Sequence, residues 1–110
     1  MKTIIRNIAI TILIVCSANI YAAKILIPMD NTQSNHLKAY GIAFWVLEQD
    51  VEISWLLNYR GGSYLLPYHE SIENECVARG VSYEVISDVQ AQSIRVEISA
   101  ADVNMDDMKL

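Results

Sequence analysis

From Lys24 onward the chain alternates between two kinds of segment. A short, continuously apolar run at 24–29, a run through Ile53, Trp55, Leu56 and Leu57 at 51–57 and an alternating run at 81–86 are separated or followed by stretches of helical periodicity at 36–49, 69–79 and 89–98. Apolar runs of that length, rich in branched residues, read as strands, and the longer periodic stretches read as helices. Alternation of this kind implies parallel strands joined by right-handed crossovers. The expected fold class is therefore α/β, with three parallel strands alternating with helices. Strands apolar on both sides need cover on both faces, which three helices hardly provide. The expectation extends to the N-terminal part of a doubly wound, Rossmann-like or flavodoxin-like three-layer fold, with residues 24–110 as a partial α/β domain. A compact three-layer miniature is the competing reading.

Local signals refine this outline. Pro28 should end the first strand, and the polar residues at 30–35 form a loop. In the first helix Leu37, Tyr40, Gly41, Phe44 and Leu47 recur at three- and four-residue spacings, as a packed stripe would. Ile42, Trp45 and Val46 lie off that stripe, so the helix is apolar around much of its circumference. Residues 64–66 read as no more than a short extended piece. Gly80 is placed to end the second helix in the left-handed conformation, and Ser87 or Asp88 to cap the third. After Ala100 the chain turns acidic, and no further strand is expected.

Residues 1–23 have the plan of a secretory signal: Lys2 and Arg6, an apolar stretch at 7–16, then small residues ending in Ala22 and Ala23. The apolar stretch is shorter than the roughly 20 residues that span a bilayer. Cleavage after Ala22 or Ala23 would place the protein in the periplasm or outside the cell, with membrane contact only through the signal segment. Of 8 basic and 13 acidic residues, Lys2 and Arg6 leave with that segment, so 6 basic face 13 acidic ones. That balance disfavours a nucleic-acid partner, which needs clustered Lys and Arg. Loss of Cys16 leaves Cys76 alone, with no disulfide within the chain.

In an open parallel sheet, ligands gather beyond the carboxyl ends of the strands. Two loops qualify. Asp30, Asn31, Asn35 and His36 offer a carboxylate, amides and an imidazole beside a helix N-terminus that favours anions; plain helix capping uses the same residue types and is the simpler reading. Arg60, Gly61, Gly62 and Ser63 would let backbone amides approach an oxyanion beside a guanidinium, or they form a turn. Neither a Walker-type Lys-Ser/Thr pair nor Gly-x-Gly-x-x-Gly accompanies them. Cys76, one helical turn after Ile72, reads as a buried structural thiol. His69, Glu70 and Glu73 read as a solvated face and not a metal site. Trp45 and Trp55 belong to the core or an interface. No metal or cofactor is expected, and no catalytic residue can be assigned.

Four blocks carry a family resemblance: Ala-Lys-Ile-Leu-Ile-Pro-Met-Asp at 23–30, Asn-His-Leu-Lys-Ala-Tyr-Gly-Ile-Ala at 35–43, Trp-Leu-Leu-Asn-Tyr-Arg-Gly-Gly-Ser at 55–63 and Gly-Val-Ser-Tyr-Glu-Val-Ile-Ser-Asp at 80–88. Together they resemble the start of a family of exported bacterial proteins, common in Bacteroidetes, labelled asparagine synthetase B. The resemblance implies a glutamine-amidotransferase-like α/β fold several times longer than this chain, with catalytic Cys and His on later strands. It also implies that the partner is the rest of a full-length chain or another subunit. The label implies an asparagine synthase or amidotransferase-type activity, although the N-terminal cysteine and Ser-Gly-Gly-x-Asp-Ser loop of true asparagine synthetase B have no counterpart here. On that reading Asp30 and His36 orient a substrate, and Arg60 or the glycine amides hold its anionic group. The alternative is an exported, non-enzymatic α/β module for a small polar ligand or a glycan.

Overall fold

A computed structural model describes residues 23–100 and 106–110, so the expected signal segment lies, but for Ala23, outside the described residues. The strands are β1 (Ala23–Ile27), β2 (Ser54–Leu57), β3 (Ser63–Pro67), β4 (Glu84–Ser87) and β5 (Asp106–Lys109). The helices are α1 (His36–Leu47), α2 (Glu70–Arg79) and α3 (Asp88–Ala100), and a 3-10 turn at Tyr59–Gly61 links β2 to β3. Strands β4, β1, β3 and β2 form, in that order, an antiparallel sheet that β5 extends beside β2.

This arrangement overturns the expected parallel, doubly wound sheet. Every neighbouring pair is antiparallel. The helical crossovers do join strands that run the same way, β1 to β2 and β3 to β4, but another strand lies between the members of each pair. The inserted strand between β1 and β2 is β3, which covers the residues expected to be only a short extended piece. Counting it changes the chain order to β1α1β2β3α2β4, the split β-α-β pattern called ferredoxin-like. A further strand, β5, follows where none was expected.

Three helices do cover both faces among the described residues. Ile25, Ile27 and Leu66 pack with Ile42, Val46, Ile72 and Cys76 from α1 and α2. Leu26, Leu56 and Leu65 point the other way and pack with Ala91 and Ile98 of α3. Strand alternation thus sends successive residues of β1 into two different cores, which explains why that run is apolar throughout.

The packed stripe of α1 is also the reverse of the expected one. Ala39, Ile42, Ala43 and Val46 are buried, whereas Leu37 is 81% and Phe44 65% exposed, with Tyr40 exposed beside them. Both faces are apolar, so hydrophobicity alone does not choose between them. The small Ala39 and Ala43 favour the face that lies close against a sheet.

The helix ends follow local rules. Asn35 caps α1, its side-chain oxygen accepting from the Lys38 N–H at 3.1 Å. Gly80 ends α2 at φ 70°. At α3, Ser87 Oγ accepts from Gln90 N at 3.1 Å while Gln90 Oε1 accepts from Ser87 N at 2.9 Å, a reciprocal capping box. Trp55 stacks on Tyr64 with ring centroids 6.3 Å apart, and Trp45 packs against the core beneath the Arg79 guanidinium.

Candidate functional site

The two polar loops singled out by sequence meet at one end of the sheet. The N–H of Met29 donates to the carbonyl of Arg60 at 3.1 Å, fastening the loop after β1 to the turn between β2 and β3. Gly61 makes that approach feasible. It sits at φ 81°, and a Cβ there would collide with the Met29 carbonyl. The buried Ser63 hydroxyl donates to the Arg60 carbonyl at 3.1 Å, and the Trp55 indole N–H donates to the Gly62 carbonyl at 2.9 Å.

Side chains complete the closure. Arg60 donates through Nε to Asp30 Oδ2 at 2.9 Å, through Nη1 to Glu84 Oε2 at 2.6 Å and through Nη2 to Thr32 Oγ1 at 3.1 Å. The Thr32 hydroxyl and N–H both donate to Asp30 Oδ1. Hydrogen bonds from Thr32, reinforced by Arg60, hold the Asp30 carboxyl down at about 2. Hydrogen bonds to Asp30 first and then to Glu84 push the Arg60 guanidinium further up. His36 Nε2 donates to the carbonyls of Met29 and Asp30, at 3.1 and 3.0 Å. One guanidinium therefore serves two carboxylates with all three of its nitrogens engaged, which binds the loops to each other and leaves the cluster with a net negative charge.

Of the sequence candidates, Asp30, His36, Arg60, Gly61, Gly62 and Ser63 are brought together here. Asn35 is engaged in capping, and Asn31 is exposed. Sequence reasoning missed Thr32 and Glu84, and it missed Gln33. The buried Gln33 amide donates to the carbonyls of Pro28 and Ser82 and accepts from the N–H groups of Ser82 and Asn35. All four of its hydrogen-bonding positions are filled, pinning the loop after β1 to the connection between α2 and β4. Nothing in a run of polar loop residues marks one amide as the buried one.

Cys76 is fully buried, and burial pushes its thiol up to about 11, so it is protonated at neutral pH. His69 stands at the N-cap of α2 and is exposed, while Glu73 accepts from the Tyr68 hydroxyl at 2.8 Å. Among the described residues no group of three or more His, Cys, Asp and Glu is placed to hold a metal ion. Nor is any described helix long and apolar enough to cross a membrane.

The opposite end of the sheet is built differently. Register places Lys24 opposite Pro67, and Leu65 and Lys109 opposite Ser54. Since directly paired residues share a face and alternate residues return to it, these side chains lie on the α3 side. With Arg95 and Glu52 they line a half-enclosed cavity of about 310 Å³. Ser54 is only 6% exposed, and its hydroxyl has no hydrogen-bond partner among the described residues. Lys24 Nζ lies 4.0 Å from Asp88, and Lys109 Nζ 3.3 Å from Glu52.

Comparison of the chain with protein-family models, curated proteins and solved structures gives no match.

Proposed function

We propose that this chain is an exported, non-enzymatic binding module that receives a small ligand in the cavity between α3 and the sheet. The observation that carries the proposal is the Ser54 hydroxyl, buried in the cavity wall without a partner among the described residues. A buried hydroxyl left unpaired costs roughly 1–3 kcal/mol, so its persistence points to a partner supplied from outside. At about 310 Å³ the space is at the lower end of the range for small-molecule sites.

The residues that looked chemically promising in sequence support binding over catalysis. Arg60 is engaged by three side chains, and Cys76 is a buried, protonated thiol. Export is read from residues 1–23 alone. The doubly wound sheet implied by the asparagine synthetase B resemblance is not the sheet formed here, and no activity is carried over from that family.

Backbone-amide NMR of the purified chain, titrated with a panel of small neutral and charged solutes, tests this. Saturable shifts centred on Ser54, Leu65, Arg95 and Lys109 are expected. Shifts centred on 30–36 and 60–63, or none that saturate, would falsify the assignment.

A further inference from the structure

The outward face of α1 is apolar and lies across the sheet from the cavity beneath α3. Leu37, Tyr40 and Phe44 are exposed at helical spacings, and Gly41 stands among them. Glycine inside a helix is costly, because the chain loses more freedom there than it would with alanine. Nothing within the described fold asks for it. Gly41 has an ordinary helical backbone, and among the described residues a Cβ there would meet only the Arg79 guanidinium, at 3.6 Å, an unstrained contact. The missing side chain therefore leaves a notch in an exposed apolar face, open to a side chain from outside.

Charge indicates what fits this face. Between Lys38 and Glu48, α1 carries no charged residue, and these two stand exposed at opposite ends of the helix. Among the described residues, neither the Lys38 ammonium nor the Glu48 carboxylate has a hydrogen bond or an ion pair. Arg79, which borders the notch, is already paired with Glu75. We propose that this face binds the same face of a second copy, the two α1 helices running antiparallel about a two-fold axis. Such a pairing is self-complementary. With Phe44 of each copy level with the Gly41 notch of the other, Lys38 comes level with Leu47 of the other copy, about 1.5 Å along the axis from its Glu48. A parallel pair would instead set lysine against lysine and glutamate against glutamate. The three exposed side chains offer on the order of 400 Å² per copy, about half of what a standard interface buries on each partner. The dimer is accordingly weak, forming in the micromolar range and above.

Sedimentation equilibrium of the purified chain, across a concentration series reaching the millimolar range, tests the proposal, with urea melts reporting the fold of each variant. A monomer–dimer equilibrium is expected. Phe44→Ser and Leu37→Ser should each weaken it about tenfold or more without lowering the urea midpoint of the monomer, since both side chains are exposed. Gly41→Ala fills the notch, so the monomer's midpoint should rise while association falls about tenfold. Lys38→Glu should weaken the dimer, and adding Glu48→Lys in the same chain should restore it. A chain that stays monomeric throughout would overturn the proposal, and so would a dimer that Phe44→Ser leaves intact. A Lys38→Glu dimer as tight as the parent's, or one that the charge exchange does not restore, would overturn the antiparallel pairing. Phe44-dependent binding of a monomeric chain to neutral phosphatidylcholine vesicles would give the face to a lipid surface in place of a second copy.

Discussion

The two ends of the sheet carry opposite hydrogen-bonding designs. At the Arg60 end, one cation is surrounded by Asp30, Glu84 and Thr32, and every hydrogen-bonding nitrogen of the guanidinium is used. At the Lys24 end, Lys24 and Lys109 pair with Asp88 and Glu52 around an open space whose buried hydroxyl has no partner among the described residues. A polar cluster whose groups satisfy one another stabilises the fold. A buried hydroxyl left without a partner among the described residues is organised for something else. Sequence-based site finding weighs polar residues by type and therefore points to the first end. The second is visible only once strand register brings Lys24, Ser54 and Lys109 onto one face.

Breaking the closed end should cost the most at a residue with no side chain. Gly61 is exposed, a position where substitution is ordinarily tolerated, but its positive φ and its approach to Met29 leave no room for a Cβ. Gly61→Ala is expected to destabilise the fold by roughly 3 kcal/mol or more, measured as a fall in the urea midpoint. It should leave the slope of the transition unaltered.

Arg60 comes next, and its effect can be divided. Its backbone is left-handed, at φ 45° and ψ 49°, so the side chain is held in a conformation that disfavours it. Arg60→Ala removes the three side-chain contacts and retains the strain, for an expected loss of about 1–2 kcal/mol. Arg60→Gly removes the same contacts but relieves the strain, so it should be the more stable variant by up to about 1 kcal/mol. Equal midpoints for the two would mean that the backbone at 60 carries no strain, and that Arg60 acts through its side chain alone.

The same cluster predicts a pH dependence. Asp30 is held at about 2, below the ordinary aspartate value of 3.8. A carboxyl with a depressed folded-state value contributes stability that is fully present above its unfolded value and is lost as pH falls through the folded one. The contribution of Asp30 is therefore complete above about pH 4 and disappears on approach to pH 2. Asp30→Asn should be less stable than the parent at neutral pH, and the gap should narrow through that window. A gap constant from neutral pH down to the acid end would show that the carboxylate charge is immaterial.

Much of the local structure was legible in sequence, because it depends on neighbours in the chain. The Gly80 stop, the Asn35 cap, the Ser87 cap and the both-faces-buried β1 each follow from a handful of adjacent residues. Strand direction did not follow, since it turned on whether 64–66 counts as a strand. Ser63–Pro67 is short and ends in proline, but its place between β1 and β2 satisfies it on both edges and decides the topology. The buried face of α1 was hidden because Leu37, Tyr40 and Phe44 are as apolar as the residues that pack. Of the polar groups, Asp30 and Arg60 were visible as candidates. Their mutual pairing was not, because the residues are separated by a helix and a strand.

The open end gives the smallest effect, and its sign is the informative part. Ser54 is buried and polar, and its hydroxyl makes no hydrogen bond among the described residues. Its removal therefore takes away a desolvated group without breaking a contact. Ser54→Ala should leave the unliganded protein unchanged or more stable by about 0.5–1 kcal/mol, whereas substitutions at the Arg60 end all destabilise. The methyl group of alanine fits wherever the serine Cβ did, so no cavity or clash confuses the comparison. Thermal melts of the two proteins without added solute give the sign directly. A loss of 1 kcal/mol or more would mean that the hydroxyl is satisfied within the fold, by an internal water or a neighbour. The two ends would then be built alike, each closed on its own polar groups.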